Sequence, residues 1–500
     1  MEKRLILAIA LSFLILLTWS TFASKAYHLE NKGVASKPIT LPITQKEDGA
    51  APPPHAFSKF QNQKYAITFI EPWAAIQEVA FLKYQNAVYS LKSGFLLADK
   101  NLTFKKTGST ENSITFEARD ATKKIKKHFT FHNDKYIIEL EVNVQSENVQ
   151  SEILNMPVIL AALTSDAKNA DARYQDVAVG KQDQTVHLNP LKDASFSDAK
   201  FLAVRDKYFC AILESAAGPR DVFVKKINNY TSEAGFAGKA IILPAGASIS
   251  EKFYIYLGPQ ELQPIEAVKK QWASVIHYGT FDFIAQLLLQ LLRFFYALVH
   301  NWGWSIVLLS FAVYLILYPL TLKQMRSMKE MQILQPKVEA LRNAYKDNPQ
   351  KLNREIMDLY REHKVNPLGG CLPLILQMPI FFALYQALMR SVALKGAHFL
   401  WIKDLSAPDR LFTMPFSLPV LNNEVNILPI LMAIGMFIQQ KISLTKNNVG
   451  AAAEQQKMML ILMPLLFGFI FYRMPSGLVL YWFINSALTL VYQLRVNRGI

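Results

Sequence analysis

Charged residues are scarce in this chain. Only 19% of its 500 residues are Asp, Glu, Lys or Arg, against roughly a quarter in an average soluble domain, while 51% are hydrophobic. That balance excludes a disordered chain and points to membrane segments. Cysteine is scarcer still: Cys210 and Cys371 are the whole complement. Two lone thiols in regions expected on opposite sides of a membrane make neither a disulfide nor a metal framework, and they read as small buried hydrophobes. Enzyme signatures are missing too. There is no P-loop, HExxH, GxSxG or CxxC, and His28, His55, His128, His132, His187 and His277 show no convincing ligand spacing. The chain is therefore not expected to be an enzyme, and no cofactor or metal is expected.

The apolar content is uneven. Residues 1–24 and everything past about 280 are apolar-rich, and the stretch between reads as a soluble domain. Of the net charge of +15, residues 301–500 supply two thirds, with 20 basic residues against 10 acidic ones. Basic residues set between apolar spans speak for membrane topology; a nucleic-acid partner would call for a basic soluble face with interleaved aromatics.

Lys3 and Arg4 precede an apolar run of about 18 residues, long enough to cross hydrocarbon. It is longer than a usual signal-peptide core and lacks a clean A-x-A site, so residues 1–24 are expected to form an uncleaved signal anchor. Residues 25–60, with the Pro52-Pro53-Pro54 triplet, look like an extended tether. From 61 to about 279 short alternating runs such as YAITFI (65–70), SITFEA (113–118), KYIIELEVNV (135–144) and KFYIYLG (252–258) lie between turn residues, the pattern of an antiparallel β-sandwich. Residues 280–300 carry a narrow polar stripe of Asp282, Gln286, Gln290, Arg293 and His300 on a greasy helix, which suits an interfacial helix lying flat.

Five apolar stretches then qualify as spans, at about 303–322, 370–390, 427–440, 458–473 and 477–494. Several contain proline, which neighbouring helices tolerate. With the first span this makes six, and the expected fold is mixed: a polytopic α-helical membrane bundle of six transmembrane helices, five of them forming the core, plus an all-β sandwich. Residues 323–366 hold ten Lys and Arg against six acids, so this loop and both termini are expected in the cytoplasm and the β-domain on the far side. Within that loop Met331, Leu334, Val338, Leu341 and Tyr345, then Leu352, Ile356 and Leu359, flank DNPQ (347–350); the spacing predicts a helical hairpin with an apolar seam. No acid or base lies near the midplane of the spans, Arg390 and Arg473 falling close to their outer ends, which speaks against an ion-coupled transporter. The neutral polar groups there could line a wet cavity.

The runs NWGWSIVLLSF (301–311), YPLTLKQMRSMKEMQILQPKVEALR (318–342), KVNPLGGCLPLILQMPIFFALYQALMRSV (364–392), LWIKDLSAPD (400–409) and MPSGLVLYW (474–482) closely resemble the YidC membrane protein insertases. The β-domain and N-terminal anchor look like the Gram-negative branch of that family. The resemblance implies a bacterial inner-membrane protein, an insertase and chaperone whose core at 301–495 encloses a hydrophilic groove open to cytoplasm and lipid. Implied partners are nascent membrane proteins, the Sec translocon, and a ribosome or targeting receptor, with the lipid bilayer as the medium. Tyr481 and Trp482 are carried over as groove residues from the LYW motif, and Ser310, Tyr314 and Gln440 are placed there by span position. The family groove normally carries an arginine four residues before the tyrosine of YPLT; here that position is Tyr314. Lys329, Lys337, Arg342, Arg354 and Arg361 are the hairpin cations expected to meet ribosome, receptor or substrate. Two other readings compete: a transporter or channel for a small polar solute, and a periplasmic glycan enzyme on a membrane anchor.

Overall fold

The computed structural model describes residues 56–97, 102–164, 174–182, 184–188, 192–346, 348–363, 365, 372–418, 422–443 and 451–498. The expected signal anchor, most of the tether and Cys371 lie outside them. The chain divides into two compact units, up to His277 and from Tyr278 onward.

The first unit is a β-sandwich. Nine antiparallel strands form its larger sheet, in the order 185–188, 176–180, 201–205, 209–215, 248–259, 137–146, 123–131, 113–119 and 105–109. Against it stand a five-stranded sheet (194–199, 220–226, 231–236, 158–164, 96–97) and a four-stranded meander (57–61, 65–70, 75–81, 87–94). Period-two alternation decides which side chains go inside. In Ile137–Ser146 the buried set is Ile138, Leu140, Val142 and Val144, with Ser146. Aromatic pairs join the meander to the large sheet: Phe81 stacks on Phe209 at 4.2 Å, and Phe69 meets Phe116 and Phe129 at 5.2 and 5.3 Å. Cys210 is buried on a central strand, and burial pushes its thiol pKa up. His128 bonds Thr115 and His132 faces Glu139; no group of metal-ligating side chains occurs among the described residues.

Alternation also carries Lys127 into this core. It is fully buried, and its Nζ donates to the carbonyls of Ala74 (2.6 Å) and Phe95 (2.7 Å). Both acceptor residues have positive φ, 44° and 62°, so the ammonium ties down two left-handed, non-glycine turns. Burial pushes its pKa down to about 7 from 10.5. Lys127→Met leaves two buried carbonyls unpaired and is expected to cost about 1–2 kcal/mol, since loss of the buried charge offsets part of the penalty. Linkage gives a second signature. The unfolded chain holds this proton up to its ordinary pKa and the folded one only to about 7, so stability rises between pH 7 and 9, by up to ~1.4 kcal/mol per pH unit. Thermal melts should show that rise in the parent and a flatter profile in Lys127→Met; identical profiles would rule the linkage out.

The second unit is helical. We label its helices α1 (Asp282–Val299), α2 (Trp302–Ala344), α3 (Pro349–Glu362), α4 (Leu372–Arg390), α5 (Ile427–Ser443), α6 (Ala451–Phe471) and α7 (Ser476–Arg498). Length and composition let Asp282–Val299, Trp302–Lys323 and Ser476–Arg495 cross a membrane, and Ile427–Ile442 and Leu460–Phe471 are shorter apolar segments. α1 is apolar on two sides: Ala285, Leu288, Leu289 and Leu292 are buried, and Phe283, Leu287, Phe294 and Leu298 are exposed. α2 is continuous through Pro319 and Pro336. Its 43 residues reach about 65 Å, so one rod serves as both span and first hairpin arm. Asn301 starts it by accepting from the Trp304 N–H at 3.1 Å, and Asn348 caps α3 through Lys351 at 3.1 Å. α7 packs on α2, α4 and α5.

Candidate functional site

The described spans bring neutral polar groups inward on α2, α4 and α7. Tyr481 of α7 is fully buried, and its hydroxyl accepts from Gln377 Nε2 of α4 at 3.0 Å. One turn on, Asn485 donates to the Tyr481 carbonyl at 3.0 Å. Ser310 is buried on α2 and returns its hydroxyl to its own helix, donating to Ile306 O at 2.8 Å. Tyr314, one turn further, is half-buried, and its hydroxyl oxygen is buried with no hydrogen-bond partner. Its ring lies 6.1 Å from that of Tyr318, which meets Tyr492 of α7 edge-on at 5.6 Å and 86°. Tyrosines 314, 318 and 492 thus form one hydroxyl-bearing seam between α2 and α7. Leu315, beside them in sequence, is 65% exposed.

The other two expected groove residues sit differently. Trp482 packs in an aromatic cluster with Phe467 (5.8 Å), Phe381 (5.4 Å) and Phe471 (5.4 Å) from α6 and α4. It holds helices together beside the polar seam. Gln440 is half-buried in the last turn of α5. Tyr318 and Gln377, neutral polar residues of the spans at 303–322 and 370–390, belong to the polar set without being among the five expected groove residues, and Tyr492 joins them unannounced. The signal that could have found them is simply that each is a polar side chain within a span.

One end of this interior is closed by residues 392–418 and 422–426. Val392, Leu394, Phe399, Ile402 and Leu405 are buried there. Phe399 pairs with Ile402 in a bridge and sets its ring against Trp304 at 5.5 Å. The loop is stitched to α7 by Ser476 N–H to Ala407 O (2.8 Å) and Gly477 N–H to Leu405 O (2.9 Å). Asp409, 2% exposed, accepts from the N–H groups of Ile427 (2.9 Å) and Leu428 (3.0 Å) and from Trp401 Nε1 (3.3 Å). A carboxylate at the N-terminus of α5 is where backbone donors and helix dipole favour it. Asn426 completes the joint, donating to Tyr472 O at 2.7 Å.

Beyond the spans, the first arm on α2 faces α3 through Leu334 and Val338, both buried, and Lys337 Nζ donates to His363 Nε2 at 2.9 Å. Lys329, Lys337, Arg342, Arg354 and Arg361 are all exposed. Between α5 and α6 runs an open apolar groove of about 810 Å³, lined by Ile434, Phe437, Leu465 and Phe469 among others.

The family model described as YidC periplasmic domain matches residues 83–291, and the one described as 60Kd inner membrane protein matches residues 294–500. The membrane protein insertase YidC of Pelobacter propionicus is 36% identical over 383 residues, 75% of this chain and 69% of the relative. The chain belongs to the YidC family of membrane protein insertases. The YidC of a Geobacter species is 36% identical over 432 residues, covering 83% of this chain and 74% of its own. A crystal structure of an active YidC insertase with its first transmembrane domain resolved aligns over 98% of this chain and 99% of its own, at 20% identity and a TM-score of 0.40. Membership of the YidC family makes this a bacterial inner-membrane protein with a periplasmic β-sandwich. The task for which its relatives are named is insertion, not catalysis of a reaction.

Proposed function

We propose that this chain, a membrane protein insertase by family, passes the polar flank of an incoming segment through the neutral seam between α2 and α7. The observation that carries this reading is the buried, unpartnered hydroxyl of Tyr314 beside Tyr318 and Tyr492, in spans otherwise free of charge. A polar segment crossing bare hydrocarbon costs several kcal/mol per unpaired group. Hydroxyls and amides part-way through the bilayer, with water between them, lower that barrier without nucleotide. Burial of the flanking apolar helix in lipid, at roughly 25 cal/mol per Å² of apolar area, then drives release.

The capped end is the periplasmic one in this reading, and the basic hairpin and both termini are cytoplasmic, a placement that the excess of Lys and Arg at 323–366 supports. A lid packed with buried side chains supports an insertase open on one side and speaks against a solute channel open to both. α1 lies along the interface. Nascent membrane proteins are the cargo, taken alone or beside the Sec translocon, and the exposed hairpin cations meet a ribosome or targeting receptor. The test is site-specific photocrosslinking to a stalled nascent membrane protein. Probes at Tyr314 and Tyr481 should label it at least about fivefold more strongly than a probe at the outward-facing Leu315. Equal labelling at all three positions would remove the groove.

A further inference from the structure

The five spans of the membrane unit contain no Asp, Glu, Lys or Arg between residues 303–322, 372–389, 427–440, 458–472 and 476–494; Arg390 and Arg473 stand just past the ends of the second and fourth. Among the described residues of these stretches two buried polar atoms have no partner, the Tyr314 hydroxyl on α2 and Gln493 Oε1 on α7. These two helices pack on each other. An orphaned buried donor or acceptor is tolerated only where water or a ligand completes it. Beside Tyr314 the polar groups are likewise neutral, Tyr318 and through it Tyr492, as is the Gln377–Tyr481 pair further along α7.

The charges at the margins are too far away or already engaged. On α2 the first cation beyond Tyr314 is Lys323, exposed and about 13 Å further along the helix axis. Arg326, also exposed, reaches the Tyr492 end of the seam, about 18 Å along the axis from Tyr314, and Arg390 and Arg473 each have an interaction of their own. Asp409 is held by three donors in the lid, and Asp282 by Gln286 and the Tyr278 N–H on α1. A carboxylate and an ammonium beside Tyr314 therefore meet the same environment: dipoles that can turn to either sign, and no counter-charge for either within about 13 Å along α2. Neutral amides and hydroxyls, in contrast, can be paired completely by hydroxyl and amide partners.

We propose that this seam selects cargo by hydrogen-bonding capacity and not by charge. Its preferred substrates are membrane proteins whose translocated segment is polar but uncharged, and acidic and basic segments are disfavoured alike. This rests on the insertase reading above and names the substrate class of the same site.

The full-length protein in liposomes, without a membrane potential, provides the test. The substrate is a single-span protein with a short translocated N-terminal tail bearing several Asn, several Asp or several Lys, and protease protection above protein-free liposomes is the readout. The Asn tail is expected to be protected about fivefold more than either charged tail, with Asp and Lys tails within about twofold of each other. Tyr314→Arg should break the symmetry and favour Asp over Lys tails by about fivefold. An Asp tail handled by the parent as well as the Asn tail, or Asp and Lys tails differing by more than about tenfold, overturns the selectivity while leaving the insertase reading in place. No tail protected above protein-free liposomes overturns both.

Discussion

Asp409→Ala is expected to destabilise the membrane unit by about 4 kcal/mol, the largest effect of any single change considered for this protein. The carboxylate is 2% exposed and satisfies three donors: the first two N–H groups of α5 and the indole of Trp401. Alanine strands all three at once, and it removes the negative charge from the N-terminus of α5. Asp409→Asn keeps an acceptor oxygen but not the charge, and should recover about half of the loss. The midpoint of thermal unfolding of the purified full-length protein in detergent reads both. An alanine variant within about 1 °C of the parent would show that the lid does not depend on this contact. The functional consequence follows from place. This residue joins the lid to a spanning helix, so cells relying on the alanine variant should accumulate uninserted membrane proteins.

The second large effect is steric. Gly303 lies in the first turn of α2, and a methyl group there would come within 2.0–2.5 Å of Cγ, Cδ2 and Cβ of Phe399. Those atoms are the base of the ring, close to the backbone, and cannot swing clear as the end of a flexible chain could. Gly303→Ala should therefore cost about 3 kcal/mol by overpacking. Phe399→Ala alone should cost about as much by leaving a void in the lid. Made together, the two should cost less than their sum by at least about 1 kcal/mol, because the second removes the clash created by the first. Strict additivity in thermal or denaturant unfolding would mean that the ring moves away freely and that the close approach is not what requires glycine.

These contacts show how far local pattern reaches. The strands Tyr65–Ile70, Ser113–Arg119 and Ser248–Pro259 lie where alternation places them, because a half-buried strand needs only every second residue apolar and that requirement is written locally. The helices Leu372–Arg390, Ile427–Ser443 and Ser476–Arg498 follow from runs of apolar residues in the same way. Alternation would also place Lys127 on an inward face of its strand, but not say what receives it. Its acceptors, Ala74 and Phe95, come from a different sheet and different turns, and only packing brings them to 2.6 and 2.7 Å.

The candidate site divides along the same line. That its spans hold hydroxyls and amides without charge is a property of composition, readable residue by residue, and so is the basic excess of the hairpin. Which of those groups meet is not. Tyr481 finds Gln377 from 104 residues away in sequence, Trp482 turns from the polar seam into an aromatic cluster with Phe381, Phe467 and Phe471, and Asp409 caps a helix that starts 18 residues later. Hydrophobic partitioning acts on each segment separately, so the sequence by itself determined the alternating strands, the apolar helices and, through its motifs, the family. Directional hydrogen bonds and ring packing act between segments, so the paired groups, the orphaned Tyr314 hydroxyl and the closed end were decided only by how the helices dock.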